Sequence, residues 1–129
     1  MEIEAKDREY WIDRASQEGI EMVDECLKLL NEVDRDLTLN YNQSYIGISQ
    51  KRKTKNFVIF LPKQNFARAE ILVRNVDEWI DKLRNSNFKI VSVGKRNGRL
   101  KFRIERKNIL SDSLILKEIF KESYESWMA

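Results

Sequence analysis

An α+β fold built on an antiparallel sheet is what this sequence predicts, from three observations. The hydrophobic period is 3.6 residues near the start and becomes 2 through the middle. The Asn97-Gly98 pair sits between two alternating runs, where a hairpin turn belongs. The strand-like runs are grouped instead of alternating one for one with helices, which predicts helices segregated from the sheet. The expected architecture is an antiparallel sheet of five to six strands. Long N-terminal and C-terminal helices pack on one face, and a short helix separates the strand runs. The chain has 129 residues, the size of an ordinary domain, and reads as a single α+β domain over 1–129.

Each element follows from local pattern. Trp11, Ala15, Met22, Cys26, Leu29 and Val33 recur at spacings of three, four and seven, with Ile20, Val23, Leu27 and Leu30 widening the stripe. Ser16 is a good N-cap. The spacing predicts a leading helix to about Arg14 and a main helix from about Gln17 to Val33. Leu37-Thr38-Leu39 reads as a short strand or an extended lead-in, and Tyr41 to Ser44 as a turn. Tyr45 to Ser49 alternates, with Ile46 and Ile48 on one face. Asn56 to Leu61 is nearly continuous in apolar residues, which predicts a central strand packed on both faces and ended by Pro62. From Phe66 to Val73, residues Ala67, Ala69, Ile71 and Val73 share one face, and Arg68 and Glu70 the other. These three runs predict an antiparallel meander.

Asn75 and Glu78 have the spacing of a capping box, and Trp79, Ile80 and Leu83 make one face of a helix over 76–85. Phe88–Val93 and Arg99–Ile104 are two further strands around the Asn-Gly turn. A last helix is expected from Ser111 to Trp127, with Leu114, Ile115, Ile119 and Tyr124 as its stripe and Phe120 and Trp127 beside it.

Composition narrows the chemistry. There is no histidine, which removes the commonest general base and metal ligand. The single cysteine, Cys26, lies in an apolar helical register beside Asp24 and Glu25 and reads as a core residue, not a reactive thiol. Glu70 is the one strand carboxylate to consider, but no lysine follows at the spacing of a restriction-type nuclease. A solvated glutamate paired with Arg68 or Lys63 is the expectation. Gly94 and Gly98 flank a hairpin turn, so neither a phosphate loop nor a dinucleotide fingerprint is present. The sequence predicts no catalytic residue, no metal and no cofactor. No stretch has the length of a membrane span, and the acidic start lacks the basic and apolar regions of a signal peptide, which predicts a cytoplasmic protein.

What remains is charge. Charged residues make up 35% of the chain, above the ~25% usual for globular proteins. The net charge of +3 hides a segregation: residues 44–107 carry 17 basic and 5 acidic side chains, while residues 1–43 carry 5 basic and 12 acidic. Lys51, Arg52, Lys53 and Lys55 crowd one expected turn, and Lys95 and Arg96 another. Arg99, Lys101 and Arg103 alternate with Leu100, Phe102 and Ile104, so the cations share one face and the apolar three the other. Several cations on one surface suit the repeated phosphates of a nucleic acid. The same pattern also serves as a solvated strand face, or meets an acidic protein partner. Phe57, Phe60, Phe88 and Phe102 fall in core-type runs and Tyr41, Tyr45 and Trp127 are not assigned to either side, so the clearest sign of a single-strand-binding platform is lacking.

The string Tyr45-Ile46-Gly47-Ile48, then Asn56-Phe57-Val58-Ile59-Phe60-Leu61-Pro62-Lys63 and Phe66, resembles a domain family of unknown function in bacteria, archaea and phage. Ser123-Tyr124-Glu125 stands where that family's C-terminal helix ends. The order of elements also resembles the MmcQ/YjbR double-wing group. The resemblance spans about residues 10–127. It implies an α+β fold like that of some DNA-binding proteins and brings no catalytic residues. The function expected is a non-enzymatic binding module that holds the nucleic-acid backbone through Lys51, Arg52, Lys53, Lys55, Lys95, Arg96, Arg99, Lys101 and Arg103. The alternative is a protein-interaction or regulatory module, of a phage or defence kind, with an acidic partner.

Overall fold

Ser16 begins the main helix as its type predicts: its Oγ accepts the Gly19 N–H at 2.9 Å and donates to the Gln64 carbonyl at 2.7 Å. The same contact explains Gly19. A Cβ there would stand 2.2 Å from the Lys63 carbonyl oxygen, so only glycine lets the helix start press on that turn. The computed structural model that shows this describes residues 8–50, 56–94 and 99–128. Helices α1 (Arg8–Arg14) and α2 (Gln17–Asn31) are followed by strands β1 (Leu37–Tyr41), β2 (Ile46–Gln50), β3 (Val58–Pro62) and β4 (Phe66–Leu72). Helix α3 (Val76–Asn85), strands β5 (Lys89–Gly94) and β6 (Arg99–Glu105), and helices α4 (Arg106–Ser111) and α5 (Ser113–Met128) complete the fold.

The strands form one antiparallel six-stranded sheet in the order β1-β2-β3-β4-β6-β5. The expected meander is β2-β3-β4, extended outward by β1. Strand β6 lies between β4 and β5, so the longest pairing in the sheet, β4 with β6, joins segments with α3 and β5 between them in sequence. Between Ile90 and Ser92 the register slips, and the extra residue, Val91, is 45% exposed. This bulge keeps Lys89 and Ser92 on one face while Ile90 and Val93 stay on the other.

Helices α2 and α5 lie side by side and both touch β4, on the face made by Val58, Phe60, Ala67, Ala69, Ile71, Leu100, Phe102 and Ile104, all fully buried. Phe120 of α5 meets Phe60 edge-on. Helix α3 continues this layer over β5, with Trp79 Nε1 donating to Glu122 Oε2 of α5. Helix α1 closes the β1 side, where Trp11, fully buried, donates to the Asn42 carbonyl at 2.8 Å. Cys26 is buried, as its register predicted, and burial pushes its thiol far above the ordinary range.

Four expectations are corrected. Strand β3 is not packed on both faces: Val58, Phe60 and Pro62 are buried, whereas Ile59 and Leu61 are part-exposed, because no described helix lies on their side. Asn75 precedes α3 but makes no side-chain cap. The final helix starts at Ser113 instead of Ser111, after a break at Asp112 that separates it from a short preceding helix, α4, which the local pattern did not announce; Glu105 and Asn108 cap α4 reciprocally, with the Glu105 N–H donating to Asn108 Oδ1 at 2.9 Å. That break sets the phase of α5. Its buried stripe is Leu116, Ile119, Phe120 and Ser123, while Leu114 is 75% exposed. Among the described residues no helix is long and apolar enough to cross a membrane.

Candidate nucleic-acid interface

Alternation in β3, β4, β5 and β6 delivers every second side chain to the face opposite the helices. In β3, β4 and β6 its residues are part-exposed while their sequence neighbours are buried, and in β5, which has no fully buried residue, Lys89 and Ser92 on this face are exposed. The pairing register sorts them into rows that cross the strands. One row sets Arg68 of β4 opposite Arg103 of β6, and Arg103 opposite Lys89 of β5. The next sets Ile59 opposite Glu70, Glu70 opposite Lys101 and Lys101 opposite Ser92. A third joins Leu72, Arg99 and Gly94. Adjacent strands are ~4.8 Å apart, so the three cations of the first row span roughly 10 Å.

Like charges directly opposite each other in a sheet repel. Two features bear on the cost here. The Arg103 guanidinium lies 3.6 Å above the Phe66 ring, a cation–π contact that fixes its position. Arg103 Nε is shielded from solvent and has no hydrogen-bond partner among the described residues. No carboxylate forms an ion pair with Arg68, Lys89, Lys101 or Arg103 among the described residues; Glu70 faces Lys101 by register and does not pair with Arg68 or Lys63 as expected. Four carboxylates in and just after α2 are engaged elsewhere: Asp24 with Arg8, Glu18 and Glu21 with Arg106, and Glu32 with Lys117.

Beside the cation row, on the β2 side, a hollow of about 260 Å³ is lined by Ser44, Tyr45, Ile59, Leu61, Arg68 and Glu70. Its floor is the apolar pair on β3 and its far wall the charged pair on β4.

Arg99, Lys101 and Arg103 share this open face, as the alternation predicted, with Leu100, Phe102 and Ile104 buried beneath them. Lys51, Arg52, Lys53, Lys55, Lys95 and Arg96 lie outside the described residues. The strand ends that flank them are described: Gln50, Asn56, Gly94 and Arg99 stand at one end of the sheet, with only β4 between the two hairpins. Phe57, Phe60, Phe88 and Phe102 are buried, while Phe66 and Tyr45 are part-exposed. Arg68 and Lys89 are the residues that sequence reasoning missed. The alternation of β4 put Arg68 outward, but nothing local announces that β4 lies beside β6.

Comparison of the chain with protein-family profiles, curated proteins and solved structures gives no match. Among the described residues no group of three or more Cys, Asp or Glu is placed to hold a metal ion.

Proposed function

We propose that this protein is a non-enzymatic module that binds nucleic acid through the open face of its sheet, mainly by its phosphates. The observation that carries this is the row Arg68–Arg103–Lys89, three cations side by side with no ion-paired carboxylate among the described residues. A folded protein gains nothing in stability from such a row; an anionic lattice laid across it relieves the repulsion and releases counterions. Arginine adds geometry, because its planar fork meets a phosphate with two hydrogen bonds. Lys101 and Arg99 continue the surface toward the end of the sheet marked by Gln50 and Gly94. The similarity of the element order to the double-wing group points the same way, as an analogy of fold. The lone buried thiol of Cys26 suits a cytoplasmic setting.

The test is fluorescence anisotropy with labelled DNA and RNA over a range of salt concentrations. Binding is expected to weaken with salt by about 0.7 to 0.9 log units per log unit of salt for each phosphate contacted. The combined variant Arg68→Glu, Lys89→Glu, Arg103→Glu should abolish binding and keep its circular dichroism spectrum. Absence of binding at low salt, or an unchanged affinity in the variant, overturns the proposal. In that event an acidic protein is the partner to seek.

A further inference from the structure

The open face is not uniformly charged, and its apolar half specifies the ligand further. Following one row across the sheet, Leu61 of β3 is succeeded by Arg68, Arg103 and Lys89, with Tyr45 just before β2 at the other end. One side of this row is suited to a flat apolar ring and the other to phosphates. A duplex presents phosphates and groove edges on its outside and keeps the faces of its bases stacked. Against a duplex, Ile59 and Leu61 would lose nothing to water and gain nothing. An unpaired base has an exposed face to bury and a strand of phosphates attached to it. Resting on the nucleic-acid reading above, we infer that the ligand is single-stranded, and that one unpaired base occupies the hollow lined by Ser44, Tyr45, Ile59, Leu61, Arg68 and Glu70 while its backbone runs along Arg68, Arg103 and Lys89.

The lining fits this role residue by residue. Ile59 and Leu61 are part-exposed aliphatic side chains on the open side of a strand whose other side is fully committed to the core. Tyr45 supplies an aromatic residue at the wall. Glu70, an acceptor only, is matched to the N–H groups on the edge of a base, and Lys101 across the ladder keeps its carboxylate in a favourable field. A hollow of about 260 Å³ is large enough for a ring. Stacking and phosphate contact are both indifferent to sequence, so broad tolerance of sequence is expected. The ribose or deoxyribose source of the strand is left to the measurement.

The experiment compares short labelled single strands of DNA and RNA with the corresponding DNA duplex, by anisotropy at low salt, on the full chain. At least one single strand is expected to bind about tenfold or more tightly than the duplex. Tyr45→Ala and Leu61→Ala, on the open face and outside the fully buried core, should each weaken single-strand binding about fivefold or more. Both should leave duplex binding nearly unchanged and keep the circular dichroism spectrum of the parent. Equal or tighter binding of the duplex overturns this inference and leaves the nucleic-acid reading standing. A single-strand preference that survives both variants also overturns the assignment of the hollow. If no nucleic acid binds at all, the broader reading fails first.

Discussion

Asp34 is a point where three donors converge. Its Oδ2 accepts from the Tyr124 hydroxyl and from Gln50 Nε2 at 2.9 Å, and its Oδ1 from the Asp36 N–H at 2.8 Å. The Tyr124 bond, then the Gln50 bond, hold the Asp34 carboxyl below its usual range, and the same carboxylate raises the Tyr124 phenol. The signs differ at the two ends of the pH scale. A lowered acid contributes stability in full above its unfolded value near 3.9, and loses it as pH falls through the folded value. A raised phenol contributes in full below about 10, and loses it as pH climbs through the folded value. The stability conferred by this cluster is therefore flat between those limits and falls on both sides. Asp34→Asn is expected to cost about 1–2 kcal/mol at neutral pH and to reduce both limbs, measured by urea unfolding across pH. Because Gln50 ends β2, this cluster also ties the end of β2 to α5.

At the scale of the element, α5 shows how a helix can be legible while its rotation is not. Leu114, Ile115 and Leu116 are consecutive, so two phases bury an apolar stripe equally well on paper. The break at Asp112 and the packing against α2 and β4 choose the phase with Leu116, Ile119 and Phe120 inward. A pair of substitutions reads this directly. Phe120→Ala removes a fully buried ring in contact with Phe60 and should cost about 3–5 kcal/mol. Leu114→Gln should stay within about 0.5 kcal/mol of the parent, since the side chain is already in water. Chemical denaturation of the two variants separates the phases, and the reverse order would place Leu114 inward.

Across the whole molecule, charge is divided between two layers. Acidic side chains on the helices find Arg8, Arg106 and Lys117, while the open face of the sheet keeps Arg68, Arg103 and Lys89 together. Such a row is held at some cost to stability, of the sort tolerated at a binding surface. Lys89→Gln is expected to raise stability by about 0.2–0.5 kcal/mol at low salt, because it removes a like charge opposite Arg103. That gain should fade at high salt as screening shortens the reach of the repulsion, and thermal melts at two salt concentrations check it. The same substitution should weaken nucleic-acid binding, so one residue trades stability against affinity.

The sequence by itself determined the α+β class, the Ser16 cap, the boundaries of α3, the β2-β3-β4 meander and the outward direction of Arg99, Lys101 and Arg103. All of these depend on periodicity and capping, which act between residues close along the chain. Tertiary structure alone decided that β6 lies between β4 and β5, which brings Arg68 between Leu61 and Arg103. It also decided that Ile59 and Leu61 face an uncovered side. The physical reason is the same in both cases: strand order and layer coverage are settled by which distant surfaces bury each other best, and a strand's own pattern records only that it has two faces.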